Sequence, residues 1–127
     1  MSELLPTPIP TGFLGETIDE QGSFQACAPA ADNFETFFAN AAAPSLSVHV
    51  LGANHMSFID DVQNCFSCSF CNDATESQAV VGDLARAYLV AFFERHLKGD
   101  TAYDTYLSGA EAQLRYVDTG IATITTK

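Results

Sequence analysis

The stretch Ser77–Leu97 constrains the fold more than any other, because it forms a helix that is apolar almost all the way round. Val81, Leu84, Tyr88 and Phe92 recur at helical spacing on one face, and Leu89, Phe93 and Leu97 widen that face. Only Asp83, Arg86 and Glu94 supply a polar stripe, and Gly99 predicts a left-handed cap at the end. Such a helix is expected to be buried on nearly every side. Covering it takes a sheet of more than two strands.

The upstream residues supply the strands. Thr11–Gly15 is a short apolar run bounded by glycines and reads as a buried strand, followed by a polar loop over residues 16–25. Asp32 is placed to cap the next helix, where Phe34, Phe37, Phe38 and Ala41 form an aromatic stripe expected to lie in the core. Pro44 ends that helix and Leu46–Leu51 reads as the central strand. Strand, short helix and strand make a βαβ unit, so the two strands run parallel with a right-handed crossover. Further on, Tyr103–Leu107 predicts a short helix ending at Gly109, residues 110–117 fit helix or strand, and Asp118-Thr119-Gly120 turns the chain. Ile121–Thr126, dense in β-branched residues, reads as an edge strand. Two parallel strands have two faces to cover, so the chain reads as part of a larger α/β fold.

Composition excludes several classes of partner. A chain of 127 residues with 47% apolar and 17% charged residues is one globular domain rather than a disordered segment. Its net charge of −11, with only 5 Lys and Arg, excludes a phosphate-binding patch and hence nucleic acid and anionic membranes. The longest apolar stretch, Ala87–Phe93, is too short to span a bilayer, and Met1–Pro6 carries no secretion signal.

The chemistry-bearing candidates cluster after the central strand. His55 follows Gly52-Ala53-Asn54 directly and precedes one expected helical turn, Met56–Ile59. Loops past the carboxyl ends of parallel strands carry reactive groups, and a histidine there can act as a base; the plainer reading is a surface residue. His49, inside the strand, and His96, near a helix end where a positive charge suits the dipole, read as structural. Glu16, Asp19 and Glu20 form either an acid–base or metal cluster or, more simply, a solvated face; Asp60-Asp61 reads as local capping. Cys65-x-x-Cys68-x-x-Cys71, with Cys27, has spacing that fits zinc or an iron–sulfur cluster. Free thiols or two disulfides pinning the loop after His55 explain the same four residues, and disulfides are the preferred reading, with three pairings open. Pairing would imply an oxidising extracellular or periplasmic compartment.

Three stretches taken together carry a family resemblance. Cys27-Ala28-Pro29 with Asn33 and Phe37-Phe38, Asn54-His55-Met56 with Phe58 and Asp60-Asp61, and the run Ala87–Asp100 resemble the carboxy-terminal part of an α/β-hydrolase of the chlorophyllase type and related serine esterases. The resemblance covers roughly residues 8 to 101. It implies the βαβα portion of a mostly parallel sheet flanked by helices: a single incomplete domain, with 1–10 a connector, 11–101 the family-like core and 102–127 a C-terminal extension. It makes His55 the base of a catalytic triad and Asp19 a candidate for the acid, although chlorophyllase-like members place that acid one strand earlier. It implies no cofactor. The family's G-x-S-x-G nucleophile motif is missing from this sequence, since Ser23, Ser45, Ser47, Ser57 and Ser108 all lack the flanking glycines. The expected partner is therefore an amino-terminal half carrying the serine and oxyanion hole, and the expected substrate a small-molecule ester of unspecified structure. Two other classes stand beside this reading: a non-catalytic interaction protein assembling through exposed sheet edges or helix faces, and a small cysteine-ligated metal module.

Overall fold

The computed structural model describes residues 9–18, 27, 29–60 and 71–127. A three-stranded sheet runs in the order β1 (Thr11–Glu16), β2 (Ser45–Val50), β3 (Ala122–Thr126). β1 and β2 are parallel, with Thr11 opposite Ser45 and Glu16 opposite Val50; β2 and β3 are antiparallel, with Val48 opposite Ile124. Helix α1 (Phe34–Asn40) lies in the crossover between the parallel strands, and α2 (Gln78–Leu97) follows β2. Two short helices, α3 (Asp104–Leu107) and α4 (Ala110–Ala112), lead through a helical turn at Gln113–Val117 into β3. Residues 110–117 are thus helical, and the sheet is mixed, with one parallel and one antiparallel pair.

Alternation along β2 decides what each face buries. Leu46, Val48 and Val50 join Val81, Leu84, Tyr88 and Ala91 of α2 in one apolar cluster, to which Ala53, Leu107 and Ala122 also belong. On the opposite face His49 meets Phe34 of α1, ring centroids 4.6 Å apart. That helix comes close enough to require Gly15, because a Cβ there would overlap the Phe34 ring. The aromatic stripe of α1 is therefore a cover rather than core: Phe34, Phe37 and Phe38 are only partly buried. Its cap is Asn33 and not Asp32, since Asn33 stands in extended backbone just before the helix and its Oδ1 accepts from Glu35 N at 2.9 Å. Asp32 sits one residue too early and ends a short 3-10 turn.

Helix α2 begins at the Ser77 cap and is followed by Gly99 at φ +74°, as its sequence predicts. Its burial differs from that prediction. Leu89, Val90, Phe93 and Leu97 are 51–77% exposed, so only the face holding Val81, Leu84, Tyr88 and Ala91 is covered. Three strands are too narrow to roof the second apolar face. Leu89, Phe92 and Phe93 instead line an open apolar groove with Gly12, Phe13 and Leu14 of β1.

Candidate functional site

Because β1 and β2 are parallel, their carboxyl ends lie at the same edge of the sheet. Glu16 is the last residue of β1 and only 9% exposed, so it does not begin a solvated loop as its polarity predicts. Gly52 then turns the chain out of β2 at φ +74°, a left-handed conformation, and a Cβ there would strike Thr75 Oγ1. Past the strands the two exits stay together: Gly52 N donates to Thr17 Oγ1 at 3.0 Å, and Ile18 N donates to Ala53 O at 3.2 Å. This pairing brings His55 over the end of β1. Its Nδ1 lies 3.9 Å from Glu16 Oε1, with the imidazole 59% exposed and the carboxylate 9% exposed.

His55 opens the 3-10 turn His55–Phe58, the single helical turn expected there. Buried Asn54 and Ser57 close that turn: Asn54 N donates to Ser57 Oγ at 3.1 Å, and Ser57 Oγ donates to Asn54 Oδ1 at 3.0 Å. The Ser57 hydroxyl is thus committed to holding the turn. A disulfide joins Cys27, in the segment leading to α1, to Cys71, in the segment after the turn. Two of the four cysteines are therefore not available as thiolate ligands, and no group of three or more His, Cys, Asp or Glu among the described residues is arranged to hold a metal.

The other predicted positions separate from this site. His49 faces α1, its Nδ1 3.7 Å from Glu35 Oε1. His96 packs against Phe92 with the rings tilted and their centroids 4.5 Å apart, and lines a pocket with Thr11, Ser45 and Lys127, at the amino ends of β1 and β2, opposite His55. Burial, reinforced by the neighbouring charge of Arg95, lowers its pKa, and Asp104 opposes them only in part. Asp19, Glu20, Asp61, Cys65 and Cys68 lie outside the described residues. Glu16, which its polar surroundings assign more simply to a solvated face, is instead a buried member of that acidic group. It falls two residues after Leu14, so it continues the strand face that packs on the core, and that spacing was the available signal.

Parallel strands backed by a long helix, with a histidine and a buried carboxylate beyond their carboxyl ends, give the chain α/β character and a polar pair where such sheets carry chemistry. The family model for chlorophyllase matches residues 4–114, and the chain belongs to the chlorophyllase family. The match supports a hydrolase relationship and reaches beyond the stretch that carries the sequence resemblance at both ends. No curated protein and no solved structure matches the chain. No helix among the described residues is long and apolar enough to cross a membrane.

Proposed function

We propose that this chain is the carboxy-terminal part of a serine carboxylic-ester hydrolase, with His55 as its general base and Glu16 as the acid behind it. The observation that carries the reading is the 3.9 Å approach of His55 Nδ1 to the buried Glu16 carboxylate at the ends of adjacent parallel strands. A carboxylate on Nδ1 favours the tautomer with its proton there and stabilises the imidazolium that forms during reaction. In this reading Nε2 of the more than half-exposed ring serves a serine carried on the amino-terminal half. That serine attacks the ester carbonyl as His55 takes its proton; the alcohol departs with the same proton, leaving an acyl-enzyme. Water then attacks the acyl carbon, with His55 again as base, and releases the carboxylic acid.

The partner that supplies the serine and the oxyanion hole docks along β1. Among the described residues, the groove beside β1 is lined by Gly12, Phe13, Leu14, Leu89, Phe92 and Phe93, and none of its lining side chains is charged. It is continuous with the β1–β2 contact, because Leu46 and Val48 also line it. An apolar strand paired to β1 would lie under Leu89 and Phe93. A second copy is disfavoured there, since two chains of net charge −11 repel one another.

Mixing or co-expressing the chain with a G-x-S-x-G-bearing amino-terminal half of a chlorophyllase family member tests the reading. Hydrolysis of a short-chain nitrophenyl ester is expected from the pair and not from either part, and His55→Ala is expected to abolish it. A fluorophosphonate probe should leave the chain unlabelled by itself. Labelling of the isolated chain, or full activity of the His55→Ala pair, overturns the proposal.

A further inference from the structure

We propose that the Cys27–Cys71 disulfide, the Asn72 carbonyl and the Asn54 side chain form one positioning chain that holds His55 against Glu16, so that the site depends on the oxidation state of that cysteine pair. Asn54 carries the burden at the centre. Its Oδ1 accepts from Ser57 Oγ at 3.0 Å, and its Nδ2 donates to Asn72 O at 2.7 Å. A buried amide engaged at both ends has one orientation, and it belongs to the residue immediately before His55.

The bond to Asn72 is useful only if Asn72 is itself fixed. Cys71 precedes it, and the disulfide ties Cys71 to Cys27 across 44 residues of sequence, with the Cα atoms 5.6 Å apart. At the other end of this segment, Thr75 N and Glu76 N both donate to Gly52 O, at 2.8 and 3.0 Å, just before the Ser77 cap of α2. The strap 71–76 is thus anchored by a covalent bond at one end and by a long helix at the other. The far side of the turn is tied to the same helix, because the Gln78 side-chain amide donates to Ile59 O.

Reduction by a dithiol breaks the Sγ–Sγ bond; the reductant's two electrons and two protons leave thiols on Cys27 and Cys71, and the reductant becomes a disulfide. The covalent anchor of the strap is then lost. Asn72 O is no longer held opposite Asn54 Nδ2, and His55 loses its fixed place over Glu16. This inference rests on the hydrolase reading for its consequence in catalysis, but not for the geometry.

The test is NMR of the full 127-residue chain labelled with 15N, reading the ring nitrogens of His55 and hydrogen exchange of the Asn54 side-chain amide. His49 and His96 serve as internal controls for the fold. In the oxidised chain the His55 ring should show a single tautomer protonated at Nδ1, with a protected Asn54 amide. In the Cys27→Ala/Cys71→Ala variant, or after dithiothreitol, that amide should exchange about tenfold faster, the ratio set by one lost hydrogen bond, and the His55 signals should average. Asn54→Asp keeps the acceptor for Ser57 and replaces the donor to Asn72 by a carboxylate oxygen that repels that carbonyl; it should average the His55 signals in the same way. His55 signals unchanged in both variants overturn the proposal. If the cysteine variant also shifts His49 and His96, unchanged His55 signals in Asn54→Asp overturn it alone. Failure of esterase complementation with these spectra as expected would refute the hydrolase reading and leave the positioning chain standing.

Discussion

His55 Nδ1 lies 3.9 Å from Glu16 Oε1 because the two strands that deliver them are parallel and end side by side. Neither residue is placed by its own loop alone: Glu16 is held by the β1 register against Val50, and His55 by the turn that Asn54 and Ser57 close. The pair is therefore a property of the sheet.

On the proposed reading the Glu16 carboxylate stabilises the His55 imidazolium, and Glu16→Gln keeps the shape while removing that carboxylate. In the complemented enzyme, Glu16→Gln is expected to lower kcat by roughly 10⁴-fold with little change in KM, as for loss of a triad carboxylate. Steady-state ester hydrolysis measures it, with Asp19→Asn as the comparison. A larger loss at Asp19 than at Glu16 would reassign the acid.

The one-sided burial of α2 separates two kinds of substitution. Leu84 is 1% exposed, and Leu84→Ala should cost about 2–5 kcal/mol of stability by leaving a cavity. Leu97 is 77% exposed, and Leu97→Ala should change stability by less than about 0.5 kcal/mol. Denaturant titration of the isolated chain reads both. Phe93→Lys should likewise spare the isolated fold while weakening assembly with the serine-bearing half, because Phe93 lines the groove beside β1.

Gly15 and Phe34 should behave as a coupled pair. Gly15→Ala drives a methyl into the Phe34 ring and is expected to destabilise by about 1–3 kcal/mol, the usual cost of overpacking. In a double-mutant cycle, Phe34→Ala should absorb much of that cost, so the two effects will not add. Additive losses would place the strain elsewhere.

Acid should weaken the fold through His96. Its folded pKa lies below the ordinary 6.5, chiefly from burial, while the unfolded histidine titrates near that value. Between the two pKa values the unfolded chain binds more protons, so stability rises with pH through this window and falls as pH drops below about 6.5. His96→Gln should flatten that part of the profile in urea titrations at a series of pH values, leaving the remaining acid dependence to other groups.

Much of this protein is legible in local sequence. The spacing of apolar residues and the Ser77 and Gly99 signals locate α2, the β-branched run locates β3, and strand–helix–strand spacing predicts the parallel pair β1–β2. These features depend on a few neighbouring residues and on backbone preferences that act before the chain is folded. The resemblance at Cys27-Ala28-Pro29 and Asn54-His55-Met56 likewise pointed to the family that the match over residues 4–114 shows.

The sequence by itself determined the main helix and strand segments apart from residues 110–117, the family, and the histidine that follows β2. Tertiary structure decided which side of α2 is covered, that Asn33 rather than Asp32 caps α1, that Cys27 pairs with Cys71, and that Glu16 is buried beside His55. The physical reason is range. Periodicity and capping are local, whereas burial of a carboxylate and the choice among cysteine pairings are fixed only when distant segments meet across a sheet.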